Sequence, residues 1–201
     1  MPRVSSRRVL AAFGLLVSSM VVVAAIRLTS VTPRALEDAC AMFSKKQDWS
    51  QNTRAAYQRW GIPVHLQLAI IYQESKFSAD ARPPRTRVFG LIPWGQASSS
   101  YGYAQATAET WQWYRKKTGH HAAARDEFSD AVDFIGWYCT TSNELLGIPK
   151  GDAYRQYLAY HEGHSGFLRG THRKKRWLLR VAREVERRAN RYRSQLAHCG
   201  H

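Results

Sequence analysis

The chain has 201 residues, of which 44% are hydrophobic and 12% aromatic, and it carries seven tryptophans. That composition buries a core and excludes a disordered tail, and the length suits one domain of ~100–150 residues with a short appendage rather than two domains. A formal charge of +15 at pH 7 draws the chain to polyanions.

Arg3, Arg7 and Arg8 precede an uncharged run over 9–26, which Arg27 closes. At about 1.5 Å per residue the run is slightly shorter than the ~30 Å hydrocarbon core. Residues 1–31 therefore read as a membrane anchor or a long signal segment. Val23 and Ala25 offer only a weak cleavage site, which favours the anchor. The basic flank stays inside and sends residues 32–201 outward. The expected place is the inner membrane facing the periplasm, or an exported form where the segment is cleaved. Nucleic acid, the first thought for a cytoplasmic chain of this charge, is set aside, and the partners left are anionic head groups and the acidic polymers or peptides of the wall.

Outside the cytoplasm disulfides persist. Cys40, Cys139 and Cys199 allow three pairings with one thiol left over. Cys40 opens the folded part and Cys199 nearly closes it, and domain termini often lie close, so Cys40–Cys199 is the favoured pair. Cys139 is then a small buried side chain.

Beyond residue 33 the pattern is helical almost throughout, with no alternating run longer than a few residues, which predicts an all-α domain. Helices are expected over 34–46, 49–60 and 63–77. The third starts on Pro63, a suitable first-turn residue, and is the most apolar. Residues 81–100 hold three prolines, two glycines and three consecutive serines and read as a long loop, a type that is usually functional or disordered. Its first half is basic (Arg82, Arg85, Arg87) and its second apolar (Phe89, Leu91, Ile92, Trp94). A substrate clamp, plain packing and contact with a partner or a membrane are all open for it. Helices resume over 107–118, 128–146, 152–160 and 174–197. In the last, Trp177, Val181, Val185, Ala189, Tyr192 and Leu196 form an apolar stripe. The arginines that cover the rest make a solvated face attracted to anionic membrane or wall. Without a heptad pattern, a monomer is the expectation.

Glu74 follows Ile70 and Ile71 by four and three residues, which places it on an apolar face near a helix C-terminus. Burial and the negative end of the helix dipole both disfavour its charge, and a carboxyl so placed becomes a general acid near neutral pH. A solvated Glu at a fraying helix end is the plain alternative. His161 and His164 flank Glu162, but the spacing is not that of a zinc helix and Gly163 interrupts any helix, so no metal is expected. No serine sits in a nucleophile elbow and Cys139 lies in an apolar helix, so nucleophilic schemes fail. No cofactor is implied.

Three segments in order, Glu74-Ser75, then Tyr101 to Thr107, then Ala159-Tyr160-His161-Glu162-Gly163, resemble the motifs of the soluble lytic transglycosylase family, over about 49–170. The resemblance implies a lysozyme-like helical domain that cuts the MurNAc–GlcNAc bond of peptidoglycan glycan strands to 1,6-anhydromuramyl products. It implies Glu74 as acid and base, Gln105 as a cleft residue, Gly102 allowing close approach, and Tyr160 as a hydrogen-bond partner at the site. Ser75, Tyr103, His161 and Glu162 are further candidates for substrate contact. Tyr103 and Ala104 stand where the family has Leu and Met, His161 where it has Asn, and Glu162 where it has a small residue. A catalytically inactive wall-binding module is the first rival, favoured by the altered Tyr-His-Glu segment. A hydrolase using Glu162 or Asp80 as second acid is another.

Overall fold

The computed structural model describes residues 35–83, the backbone of 85–88 and 92–96, and residues 98–200. The expected anchor over 1–31 lies outside the described residues. Among the described residues, no helix is long and apolar enough to cross a membrane.

A 3-10 turn, Ala35–Glu37, leads into α1 (Ala39–Lys45), which is capped by the Asp38 carboxylate accepting from the Cys40 and Ala41 amides. α2 (Gln47–Trp60) ends where Gly61 turns left-handed at φ 71. α3 (Val64–Ser75) begins directly after Pro63, which has no amide hydrogen to leave unsatisfied. α4 (Ala108–Thr118) starts on the Thr107 hydroxyl, which accepts from the Thr110 amide, and ends at Gly119. α5 (Phe128–Leu146) ends at Gly147, and α6 (Ala153–Leu168) starts on Asp152. A second 3-10 turn, Thr171–Lys174, precedes α7 (Arg176–His198).

α3 is buried almost all round, with Leu66, Leu68, Ala69, Ile70 and Ile71 at 0% exposure, so it runs through the middle of the domain. α7 packs on α3 and α6, and α5 packs on α2, α3, α4 and α6. Asp133 of α5 ties two neighbours: it accepts from Trp60 Nε1 at 2.8 Å and from the Tyr114 hydroxyl at 2.7 Å. Trp49 stacks on Phe128 at 4.2 Å between ring centroids and on Phe77 at 5.2 Å.

Cys40 and Cys199 are joined with 6.1 Å between their Cα atoms, the pair favoured from the sequence. Cys139 is free and buried, and burial pushes its thiol well above the usual range.

Three expectations need correction. Within the predicted loop, β1 (Arg85–Val88) and β2 (Ile92–Gln96) pair antiparallel, so the fold is helical with one hairpin. Thr86, Val88 and Ile92 are β-branched and Gly90 stands between the strands; four or five residues of such sequence pair once folding sets the strands side by side. The sixth helix does not stop at 160. Gly163 leaves helical geometry at φ 72 and ψ 157, and the helix then resumes to Leu168. In α7 the buried stripe is Leu178, Ala182, Val185, Ala189, Tyr192 and Leu196, while Trp177 is 48% exposed. Alternating steps of four and three residues keep one face inward over the whole helix, which repeated steps of four cannot do at 3.6 residues per turn.

Candidate functional site

Glu74 sits in the last turn of α3, where the apolar core meets a cleft of about 450 Å³. The cleft is lined by Glu74, by Gln105, Ala106 and Thr107, and by Tyr160, His161, Glu162 and Gly163, with Phe134 and Tyr138 of α5 between them. Parts of all three sequence motifs therefore meet on one surface.

Local backbone geometry aims these residues. Lys76 and Phe77 follow Glu74 with φ of 52° and 61°, and Gln105 has φ 47°. Among the described residues these are the three non-glycine positions in the left-handed region. Such conformations cost about 1–3 kcal/mol each and persist where the surroundings over-determine them. For Gln105 the surroundings are explicit: its Nε2 donates to the carbonyls of Ala81 and Gly102, both at 2.8 Å. Gly102 lies against Arg125, and a Cβ added there would stand 2.0 Å from the Arg125 carbonyl oxygen. Arg125 in turn donates to the carbonyls of Ala106 at 3.0 Å and Ser99 at 2.7 Å. The segment 101–106 is thus clamped from two sides as one cleft wall. The Tyr160 hydroxyl crosses from α6 to donate to the Ala104 carbonyl at 2.6 Å.

Burial pushes the Glu74 carboxyl up to about 7, against a hydrogen bond from Tyr157 and the attraction of Lys76. Burial and the nearby Glu74 charge likewise hold the Tyr157 and Tyr160 hydroxyls protonated. Tyr157 was not singled out from the sequence. Its signal was there, since it lies three residues before Tyr160 on the same helix and so on the same face.

Glu162 is a different kind of carboxyl. Its side chain is 3% exposed, and burial raises its pKa, but bonds from Lys175 Nζ at 2.7 Å, the Thr171 hydroxyl and His161 Nδ1 at 3.2 Å prevail and hold it down to about 2. It is a fixed anion that ties α6 to the turn before α7. His161 is exposed at the cleft and stands edge-on to Trp177, at 5.2 Å between ring centroids. Asp80 lies outside the cleft lining and accepts from the Ser78 hydroxyl at 2.6 Å.

Three candidates are not brought into the cleft. The Ser75 hydroxyl is buried and donates to the Ile71 carbonyl of its own helix. Tyr103 packs edge-on against Trp49 and Phe128, at 6.0 and 5.4 Å. Gly102 lies behind the wall, where its lack of a side chain admits Arg125. In the other direction, Ser98, Ser100 and Thr110 line the cleft without having been expected there. Of the loop ahead of them, Pro83 lines it too, while the side chains of 84–97 lie outside what is described.

Comparison with known families places the chain over residues 13–199 in the family described as transglycosylase SLT domain. The helical architecture is consistent with the lysozyme-like fold of such domains. Neither the curated proteins nor the solved structures gave a match.

Proposed function

The chain belongs to the transglycosylase SLT domain family, whose general function is of the lytic transglycosylase type, and on that premise we propose that it cleaves the MurNAc–GlcNAc bond of peptidoglycan with Glu74 as its single acid and base. One observation carries the reading. The cleft holds one carboxyl raised to about 7, Glu74, and the other carboxylate on its wall, Glu162, is spoken for by Lys175 and Thr171.

A carboxyl poised near neutrality serves both halves of the reaction. Protonated Glu74 gives its proton to the glycosidic oxygen as the bond from that oxygen to the muramyl C1 breaks and its electron pair stays on the oxygen. The resulting carboxylate then takes the proton of the muramyl 6-hydroxyl, whose oxygen closes on C1 to form the 1,6-anhydro ring. Glu74 ends as it began, protonated, and no water is consumed. Hydrolysis would need a second carboxylate to activate water or to act as nucleophile. Glu162 is locked in its ion pair and Asp80 lies outside the cleft lining, so both observations favour the intramolecular route. The Tyr157 hydroxyl, bonded to Glu74, fixes the carboxyl's orientation through the cycle.

The membrane anchor, the placement outside the inner membrane and the monomeric state belong to the same proposal and rest on the sequence. An outward-facing catalytic domain tethered by residues 1–31 stands where its substrate is.

Mass spectrometry of fragments released from purified peptidoglycan tests the reaction. Anhydromuramyl ends are expected from the wild type, with a loss of at least about 10²-fold in Glu74→Gln. Reducing ends instead would mean hydrolysis. Absence of both, with wall binding retained, would mean a binding module.

A further inference from the structure

Where α6 turns into α7, a groove of about 520 Å³ is lined by Leu146, Leu158, Phe167, Leu168 and Leu179, and no residue that lines it is acidic. His172 adds a ring stacked on Phe167 at 4.8 Å between centroids. Burial and the neighbouring Arg173 hold that imidazole below its usual range, so the ring enters uncharged. Two cations reach the groove. Arg155 is held by Asp152 at 2.5 Å, which leaves Arg173 free. Leu168 is 76% exposed, and Trp177, two residues before Leu179, is 48% exposed. Folding thus leaves apolar surface in water at this end of the molecule.

The same stretch of chain is strongly basic. Arg169, Arg173, Lys174, Arg176, Arg180 and Arg183 are exposed and, among the described residues, none of them makes an ion pair. On α7, Arg176, Arg180 and Arg183 recur at steps of four and three, which sets them on one face. The buried stripe begins two residues on from Arg176, at Leu178, about 200° round the helix. The outer face of α7 is therefore a line of guanidinium groups leading away from the groove. The acids of the helix are Glu184, which is bound to Arg187, and Glu186.

A polyanion in water would satisfy the cations and leave Leu168 and the groove wet. An anionic phospholipid surface satisfies both, since its phosphates meet the guanidinium groups while its acyl chains cover the leucines and Trp177 sits at the boundary. We propose that this end of the molecule docks on an anionic bilayer, with Leu168 and the groove entering the acyl region and Arg173, Arg176, Arg180 and Arg183 on the head groups. The far end of α7 agrees with this placement. There Cys199 is bonded to Cys40 and the Tyr192 hydroxyl donates to the Leu36 carbonyl, so the chain enters the fold beside the end of a 23-residue helix that is about 35 Å long. With residues 1–31 as the anchor of the proposed function, both ends of α7 meet the bilayer and the helix lies along it. The docking itself rests on the groove and the cations and not on the glycan reaction; the orientation rests on the anchor.

The full-length chain is mixed with vesicles of phosphatidylcholine alone or of equal parts phosphatidylcholine and phosphatidylglycerol, carrying a polarity-sensitive dye on Leu168→Cys or on Lys116→Cys. Lys116 is exposed on α4, which packs on α5. Cys139 is buried and Cys40 is bonded to Cys199, so the new thiol takes the label. On anionic vesicles the emission from position 168 is expected to shift to the blue and to be quenched by brominated acyl chains, while position 116 stays in water. Reversing Arg176, Arg180 and Arg183 to Glu should abolish the shift, since each cation near an anionic surface strengthens partition about five-fold. Added salt should weaken the shift in the unreversed chain, a readout that does not depend on how the triple variant folds. A label at 168 that stays in water, an equal shift on neutral vesicles, a shift at both positions, or a response indifferent to salt would overturn the inference. Flotation separates it from the anchor. A chain that floats on neutral vesicles with position 168 in water keeps the anchor and refutes the docking, whereas one that floats on anionic vesicles alone, with the shift, keeps the docking and loses the anchor.

Discussion

Glu74 carries two pH dependences from one titration. Its carboxyl loses its proton near 7 in the folded chain and near 4.5 when free of it. Between those values the native state binds more protons than the unfolded one, so the contribution to stability is fully present below about 4.5 and is lost as pH rises through about 7. At about 1.4 kcal/mol per pKa unit the loss is roughly 3 kcal/mol. Glu74→Gln removes the buried charge, so its melting temperature should exceed the wild type's by a margin that grows from pH 5 to pH 8, reaching several degrees; a margin independent of pH would show that burial does not hold the carboxyl up. Cutting should decline above about pH 7 as the acid form is lost. Glu162 runs the opposite way: lowered to about 2, it stabilises above about 4.5 and ceases to do so as pH falls through about 2.

Among the elements, the cleft wall over 101–106 depends on an approach that only glycine permits. Gly102 has φ 77 and a virtual Cβ 2.0 Å from the Arg125 carbonyl oxygen, whereas Gly147, at φ 66, has nothing within 4 Å. Gly102→Ala must push backbone away as well as adopt a left-handed conformation, and is expected to cost about 3 kcal/mol or more. Gly147→Ala bears the conformational part alone, about 1 kcal/mol. Urea unfolding midpoints of the two variants should separate accordingly, and equal shifts would refute the contact argument. The tie from Glu162 to Lys175 and Thr171 works at the same scale. It spans the segment after the Gly163 break, and Lys175→Met should speed amide exchange over 163–175 while leaving α3 as protected as before.

For the whole molecule, α7 acts as a strap. It covers α3 and α6 along the stripe from Leu178 to Leu196, and its far end is fastened to the start of the domain. Arg188 and Arg191 donate to Glu37 at 2.6 and 2.7 Å, the Tyr72 hydroxyl joins the same carboxylate, and Cys40 is bonded to Cys199. The disulfide closes a sequence separation of 159 residues, and a loop of that size is worth roughly 3–5 kcal/mol through the unfolded state. The Cys40→Ser, Cys199→Ser double variant should lose about that much in chemical denaturation. It should keep the site, because the bond lies at the opposite end of α7 from Trp177 and His161. A cleft that lost activity in a still-folded double variant would contradict this.

How much of this was written in the sequence differs by kind of interaction. Helix positions were legible because capping and stop signals are local: Pro63 opens α3, Thr107 and Asp152 cap α4 and α6, and Gly61, Gly119 and Gly147 end their helices within a residue or two of the expected bounds. Glu74 was legible because burial follows from its place on the apolar face of α3, and Cys40–Cys199 because the two cysteines bracket the domain. Contacts between distant segments were not legible. No local pattern tells that Glu162 is consumed by Lys175 or that Tyr103 turns away to Trp49 and Phe128, since each depends on which helix faces come together. The hairpin within 85–96 was missed because short strands take their stability from pairing, which only the folded chain supplies. The sequence by itself determined the helices, the family and the place of Glu74 on the apolar face of α3; the tertiary structure decided which neighbours that carboxyl has, because a carboxyl's charge is set by what surrounds it in space and not by what adjoins it along the chain.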